Sequence, residues 1–220
     1  MERAVTLLSA WLREPYDKTA NLSIGRRDQQ LGLLYESLFG PVLKAFAECP
    51  NCAEGLEYSI PLPELHCEAA GQQEITLLCG ETLLRLRLPD SFDLKAVCGC
   101  NDLQSAQKML TQRCIVEARA GEAAIAVERL TDHTLEKVAA RLAESDPGAE
   151  TLIDLTCSAC RHAWQVTLDI EFFLWTRINA LAKRLLGEVH VLAQVYGWSE
   201  SDILSLSPAR RQFYLEMVQA

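Results

Sequence analysis

Two stretches, AECPNCAEGLEYSIPL (residues 47–62) and LTCSACRHAWQVTLDI (residues 155–170), decide how this chain is assembled. Laid over one another with Cys49 on Cys157, they place Cys52 on Cys160, Leu56 on Trp164, Tyr58 on Val166, Ile60 on Leu168 and Leu62 on Ile170. The same offset sets Leu65 on Phe173. Apolar residues at every second position mark a strand with one buried face. Each stretch therefore reads as strand, Cys-x-x-Cys turn, strand, and the two are an internal repeat. A Cys-x-x-Cys turn presents two thiolates on one side, and zinc takes four ligands at tetrahedral corners, with sulfur about 2.3 Å away. Two such turns facing one another meet that demand. The expectation is a four-thiolate zinc ribbon closed by Cys49, Cys52, Cys157 and Cys160.

A compact zinc ribbon separates its cysteine pairs by about 15–20 residues. Here residues 53–156 intervene, so the matching strands carry the reading and the spacing does not. Residues 66–149 become an insertion whose ends return to one place. Two other roles compete for the four cysteines. They can pack as small buried hydrophobes, or act as a redox dithiol. A thioredoxin-type pair opens a helix, whose dipole lowers the thiol pKa, and neither pair here does so.

The chain has 220 residues, 49% apolar and 23% charged, which is an ordinary globular composition and excludes disorder. Its net charge of −9 argues against a bulk polyanion binder, because phosphate contacts need clustered positive charge. No apolar run is long enough to span a membrane. The opening MERAVTLLSAWLREPYD lacks a basic n-region and a small-residue cleavage site, so a cytoplasmic location, or release by lysis, is expected. Nine cysteines, an odd number, point to metal or packing and away from a disulfide framework.

Around the repeat the period is helical. Residues 2–13 place Val5, Leu8, Trp11 and Leu12 on one face, and residues 26–38 carry Leu31, Leu34, Tyr35 and Leu38. Gly40-Pro41 stops that second helix. Residues 66–73 read as a loop. EITLLCGETLLRLRL (74–88) reads as a hairpin turning at Gly80-Glu81. Asp90 with Asp93 and Asn101 with Gln104 are capping pairs for short helices over 91–97 and 102–113. A strand is expected within 115–127, and HTLEKVAARLAESD forms an amphipathic helix ending before Pro147-Gly148. One long helix is expected over 171–196, with Leu174, Ile178, Leu181, Leu185, Val189, Leu192 and Tyr196 on a stripe. Ser199 with Asp202 caps a short helix, and Ser207-Pro208 starts the last one.

Other chemistry is thin. Cys98-Gly99-Cys100, with Cys114 or Cys67 nearby, lacks a second pair and reads as packing. The roles of Cys67, Cys79, Cys98, Cys100 and Cys114 stay open. His66-Cys67 reads as surface loop. His162 follows Cys160 by two residues, but four cysteines already fill the site. His190 reads as a core or interface histidine, because no nucleophile partner is recognisable. No phosphate-binding, nucleophile-elbow or metalloprotease motif is present. A closed four-thiolate site leaves no open coordination position, so it is structural.

The segment EVHVLAQVYGWSESDILSLSPARRQFYLEMV (188–218) resembles the baseplate or baseplate hub assembly family of T-even-like contractile phage tails and related contractile injection systems. IGRRDQQLGLLYESLFGP (24–41), the CPNC and CSAC knuckles, LPDSFDLKAV (88–97) and RCIVEA (113–118) resemble the same group, in the same order. The resemblance implies a non-enzymatic part or assembly factor of a tail baseplate that binds hub or wedge proteins, and it carries no catalytic residues. It transfers zinc to Cys49, Cys52, Cys157 and Cys160. It also marks Tyr196, Trp198, Ile203, Leu204, Arg210, Arg211 and Tyr214 as candidate contact residues, with packing of the helical turn as their competing role. Independently of the family, aromatics and arginine are enriched at interface hot spots.

The reading is an α+β protein with a central two-knuckle four-cysteine zinc ribbon, an inserted α+β subdomain, and N- and C-terminal helices packed together. Its parts are N-terminal helices (1–40), the ribbon core (41–65 plus 150–170), the insertion (66–149) and a C-terminal helical region (171–220). The expected function is structural or chaperone-like within a contractile-tail baseplate, by protein–protein binding, with Zn2+ as a structural ion and no nucleic acid, membrane or small-molecule partner. A zinc-ribbon nucleic-acid-binding or transcription-associated module is the first rival. The acidic flanks of the knuckles, Glu48, Glu54, Glu57, Glu64, Asp154 and Asp169, oppose it. A metal-dependent enzyme is the second, and it lacks a visible base and an open ion.

Overall fold

The repeat folds into two separate hairpins. Strand β1 (Val42–Glu48) pairs antiparallel with β2 (Gly55–Pro61), and β7 (Leu152–Thr156) pairs with β8 (Ala163–Thr167). Each hairpin is its own two-stranded sheet. The computed structural model describes residues 2–65 and 75–219. His66, Cys67 and the whole of the loop expected over 66–73 lie outside the described residues.

Before the first hairpin come α1 (Glu2–Leu12), α2 (Tyr16–Ala20) and α3 (Ile24–Phe39). The sequence reading lacked α2, a single five-residue turn following Pro15. Helix α3 starts two residues earlier than expected, because the Ser23 hydroxyl accepts the Arg26 N–H at 3.3 Å.

Between the hairpins, β3 (Ile75–Cys79), β4 (Thr82–Leu86), β5 (Ile115–Ala120) and β6 (Ala123–Ala124) form an antiparallel sheet in chain order. Gly80, at φ +61°, takes the left-handed conformation that lets β3 turn into β4. Alternation in β4 sends Leu84 and Leu86 inward, where they meet Ile75, Ile115 and Ala118. Helix α6 (Asp132–Ser145) covers them with Leu135, Val138 and Leu142. Helices α4 (Ser91–Val97) and α5 (Leu103–Arg113) link β4 to β5. The Asp90–Asp93 capping box is present as expected. For α5 the cap is Asp102, whose carboxylate accepts the Ser105 N–H at 2.7 Å, and not Asn101.

Asp93 is more than a cap. It is 0% exposed, and its carboxylate accepts from the Arg87 Nη2 at 2.8 Å, the Arg113 Nε at 2.8 Å and the Asp90 N–H at 3.1 Å. One anion thereby ties the end of β4 to the end of α5. A second buried carboxylate closes the insertion: Asp146 accepts the Gly25 N–H at 2.9 Å, across 121 residues, at the positive end of α3. A Cβ on Gly25 would lie 2.1 Å from the Asp146 Oδ1 and 2.8 Å from the Ala149 backbone nitrogen, so only glycine permits this approach.

The chain divides into two compact units, residues 1–171 and 172–220. In the second, α8 (Glu200–Ser205) and α9 (Pro208–Gln219) fold back on the end of α7 (Ile170–Tyr196) around Leu192, Ile203 and Leu215. The expected Ser199–Asp202 capping box starts α8. Among the described residues, no helix is long and apolar enough to cross a membrane.

Burial raises the Asp93 pKa, but Arg87, the Asp90 amide and Arg113 together outweigh it and hold the carboxyl below its ordinary value. Its contribution to stability is therefore present above the unfolded carboxyl pKa, near 3.9, and is lost as pH falls through the lower native value. Asp93→Asn should cost about 3 kcal/mol at neutral pH, by stranding two guanidinium partners. It should also flatten the acid limb of stability in urea titrations run from pH 6 to pH 2. An unchanged acid limb contradicts this role.

Candidate metal centre

The first knuckle spans Cys49 to Glu54 and the second Cys157 to His162. Each is built by the same backbone device. The Cys49 N–H donates to the Glu54 carbonyl and the Ala53 N–H to the Cys49 carbonyl, both at 2.9 Å. In the second, the Cys157 N–H donates to the His162 carbonyl at 2.9 Å and the Arg161 N–H to the Cys157 carbonyl at 3.1 Å. The residue after the second cysteine is left-handed in both copies, with φ +59° at Ala53 and +63° at Arg161. A non-glycine residue there is uncommon and costs energy. That both copies accept it means the turn that aims the thiols outweighs the local preference.

The turns face one another across the sequence. All four sulfurs lie within 4.8 Å of one another. Cys49 Sγ is 3.7 Å from Cys160 Sγ, and Cys52 Sγ is 3.6 Å from Cys157 Sγ. A tetrahedron of sulfurs about 2.3 Å from a central ion has edges of about 3.8 Å. The Cys49–Cys160 and Cys52–Cys157 edges have that length, and the others stay within 4.8 Å. Cys49 and Cys157 are buried and Cys52 and Cys160 exposed, so each knuckle turns one thiol inward and one outward. All four are free thiols.

The two outward-facing thiols are shifted in opposite directions. Cys160 is drawn down to about 6, first by the Asn51 side-chain amide and then by the His162 backbone N–H. Asn51 Nδ2 lies 3.5 Å from that sulfur. The Glu54 amide pulls Cys52 the same way, but the Cys160 sulfur, then slight desolvation and the Cys157 and Cys49 sulfurs, outweigh it and push Cys52 up to about 12. Among bare thiols, charge thus collects on one sulfur and is withheld from the next. A divalent ion at the centre removes that conflict, because all four can then ionise. Four soft thiolates suit zinc among the common divalent ions.

The remaining candidates fall elsewhere. His162 places its ring on Trp164, with centroids 6.1 Å apart and planes 14° from parallel, and the ring is not among the clustered ligand atoms. Cys114 is buried in the core beneath the four-stranded sheet, and burial pushes its thiol up to about 12. Cys98 is exposed and Cys100 half-buried, and neither joins a metal-sized cluster among the described residues. His190 is exposed on α7, which excludes the core alternative for it and leaves the interface one untested. A groove of about 510 Å³ between α5 and α6 is lined by Gln104, Lys108, Thr111, Leu135, Ala139 and their neighbours, with no histidine, cysteine or serine on its walls.

The terminal set marked by resemblance divides by environment. Ile203 is fully buried, and Arg211 pairs with Glu188 at 3.0 Å and donates to the Leu206 carbonyl at 2.8 Å. Tyr196 stacks on Trp198 at 4.7 Å, and Trp198 meets Tyr214 edge-on at 4.9 Å. Leu204 and Arg210 are exposed. Sequence reasoning missed Asn51, whose only signal is its place inside the first knuckle.

The family model for the T4 bacteriophage base plate protein matches residues 6–175, more than three quarters of the chain. The match contains both knuckles and the whole insertion and stops short of the 188–218 segment. No curated protein and no solved structure matches the chain. By the extent of the family match, this chain belongs to the T4 bacteriophage base plate protein family.

Proposed function

We propose that this chain is a non-enzymatic structural or chaperone-like component of a contractile-tail or injection-system baseplate, with a structural zinc ion at Cys49, Cys52, Cys157 and Cys160. The family match over residues 6–175 carries this reading. Hub or wedge proteins of the baseplate are its partners, and the tail particle or the host cytoplasm in which it assembles is its location. Of the terminal set, Leu204 and Arg210 offer contact surface, while Tyr196, Trp198, Ile203, Arg211 and Tyr214 shape the turn that presents them.

Zinc acts here as a cross-link. The two hairpins share no strand pairing, and an ion held by both knuckles joins chain segments on either side of the insertion. In zinc-finger peptides such sites bind with apparent free energies of about 10–16 kcal/mol, and that binding energy is folding energy. No substrate position remains on an ion with four sulfur ligands, which suits a scaffold and not a reactive centre.

Purified protein should contain about one zinc per chain by elemental analysis. Cys49→Ser and Cys157→Ser should each remove most of it and lower Tm strongly. Metal-free wild type with unchanged melting would refute the zinc site. Co-expression of tagged protein with the tail genes of its own cluster should recover hub or wedge proteins. Recovery of none of them, with the fold intact, would refute the baseplate role independently of zinc.

A further inference from the structure

The knuckle sulfurs make close pairs from one knuckle to the other. Cys49 Sγ lies 3.7 Å from Cys160 Sγ, across 111 residues of chain, and Cys52 Sγ lies 3.6 Å from Cys157 Sγ, across 105. A disulfide holds its sulfurs about 2.05 Å apart, so each pair is short of a bond by about 1.6 Å of side-chain movement. Each pair also joins a buried thiol to an exposed one: Cys49 with Cys160, and Cys157 with Cys52. The exposed member meets a solvent-borne reagent, and the buried member stands beside it. Asn51 reinforces the crossing. Its side-chain amide, in the first knuckle, donates to the Cys160 sulfur at 3.5 Å and draws the outer thiol of the second knuckle toward the first.

The consequence differs from that of a bond inside one knuckle. Joining Cys49 to Cys52 closes a loop of a few residues and leaves the two hairpins free of each other. Joining Cys52 to Cys157 closes the loop that runs through the whole insertion, and a cross-link constrains the unfolded chain more as its loop lengthens. Cross-knuckle bonds therefore hold together the same two hairpins that an ion would.

We infer that Cys49–Cys160 and Cys52–Cys157 are disulfide-forming pairs, so that a low-molecular-weight disulfide converts the four-thiol cluster into two covalent cross-links between the knuckles. The inference rests on the reading that these four cysteines tie the two hairpins together, and it adds a second, oxidised form of that tie. The exchange balances as follows at the first pair. The Cys160 thiolate attacks one sulfur of the reagent disulfide, forms a mixed disulfide and expels one reagent thiolate. The Cys49 thiolate then attacks the Cys160 sulfur, the protein disulfide forms and the second reagent thiolate leaves. Two cysteines lose two electrons, the reagent disulfide gains them, and the two thiol protons pass to the released thiolates. Cys52 and Cys157 repeat these steps. An ion held by the four sulfurs leaves as the free cation. A chain that passes from a reducing compartment to an oxidising one thereby keeps its closure.

The test treats the folded, full-length protein as purified with a zinc chelator and oxidised glutathione together, so that the thiols meet the oxidant while the fold is intact. Free thiols are then blocked with N-ethylmaleimide. Cleavage after glutamate releases residues 49–54 as a separate peptide, because Glu48 and Glu54 bracket the first knuckle. Mass spectrometry without reduction should find that peptide joined to the one carrying Cys157 and Cys160, and fragmentation should place the bonds at Cys49–Cys160 and Cys52–Cys157. The same oxidation in guanidinium chloride should give mostly Cys49–Cys52 and Cys157–Cys160 loops, because short loops close most readily in an unfolded chain. The oxidised, metal-free protein should melt about 10 °C above the reduced, metal-free protein, and dithiothreitol should remove the difference. The double variant Cys49→Ser with Cys160→Ser should still form the Cys52–Cys157 bond. Within-knuckle bonds, glutathione adducts alone, or a mixture of pairings from the folded protein overturns the inference. So does a cross-linked protein that melts with the reduced one. The pairing is read whether or not the purified protein carries zinc, so its failure is distinct from a failure of the zinc analysis.

Discussion

Four sulfurs from two distant turns meet within 4.8 Å of one another in this molecule's first unit. The hairpins that carry them share no backbone pairing, and a two-stranded hairpin is marginal on its own. Bringing Cys52 to Cys157 closes a loop of about one hundred residues, which costs about 4–5 kcal/mol of chain entropy. Neutral thiols at 3.6–3.7 Å separation return little of that. An ion bound by four thiolates returns several times the cost. The magnitudes thus place the weight of the closure on the proposed zinc, with the hairpins as its supports.

The insertion depends less on that tie than the hairpins do. It has its own core under the β3–β6 sheet, and Asp93 fastens its helices to that sheet through Arg87 and Arg113. Asp146 then anchors its far end to the start of α3. These two buried anions act at places where strands and helices end and backbone donors are left over. The insertion therefore returns at a defined place beside the start of α3, and the second knuckle follows from there.

Much of this was legible in the residues. The hairpins announced themselves through period-two alternation and the Cys-x-x-Cys turns, and α4 and α8 through their capping pairs. What failed was either short or long-range. Helix α2 is one turn, too brief for any periodicity to build up. The α5 cap moved from Asn101 to Asp102 because both side chains are able to cap and only the local geometry selects one. The partners of Asp93 and Asp146 sit in elements joined only by tertiary packing, and no local pattern reports such pairs. The pairing of the two knuckles was readable for a different reason: two copies of one local design invite a shared ligand.

As a base plate family member, the chain fits the proposed scaffold, in which a metal tie at the knuckles would add to the ion pairs of the buried Asp93. The central claim is that one ion joins both knuckles. X-ray absorption at the zinc edge of the purified protein tests it most directly. The account predicts a single shell of four sulfurs at about 2.3 Å. A shell containing nitrogen or oxygen, or two sulfurs per metal, would mean that the knuckles do not share an ion, and would contradict it.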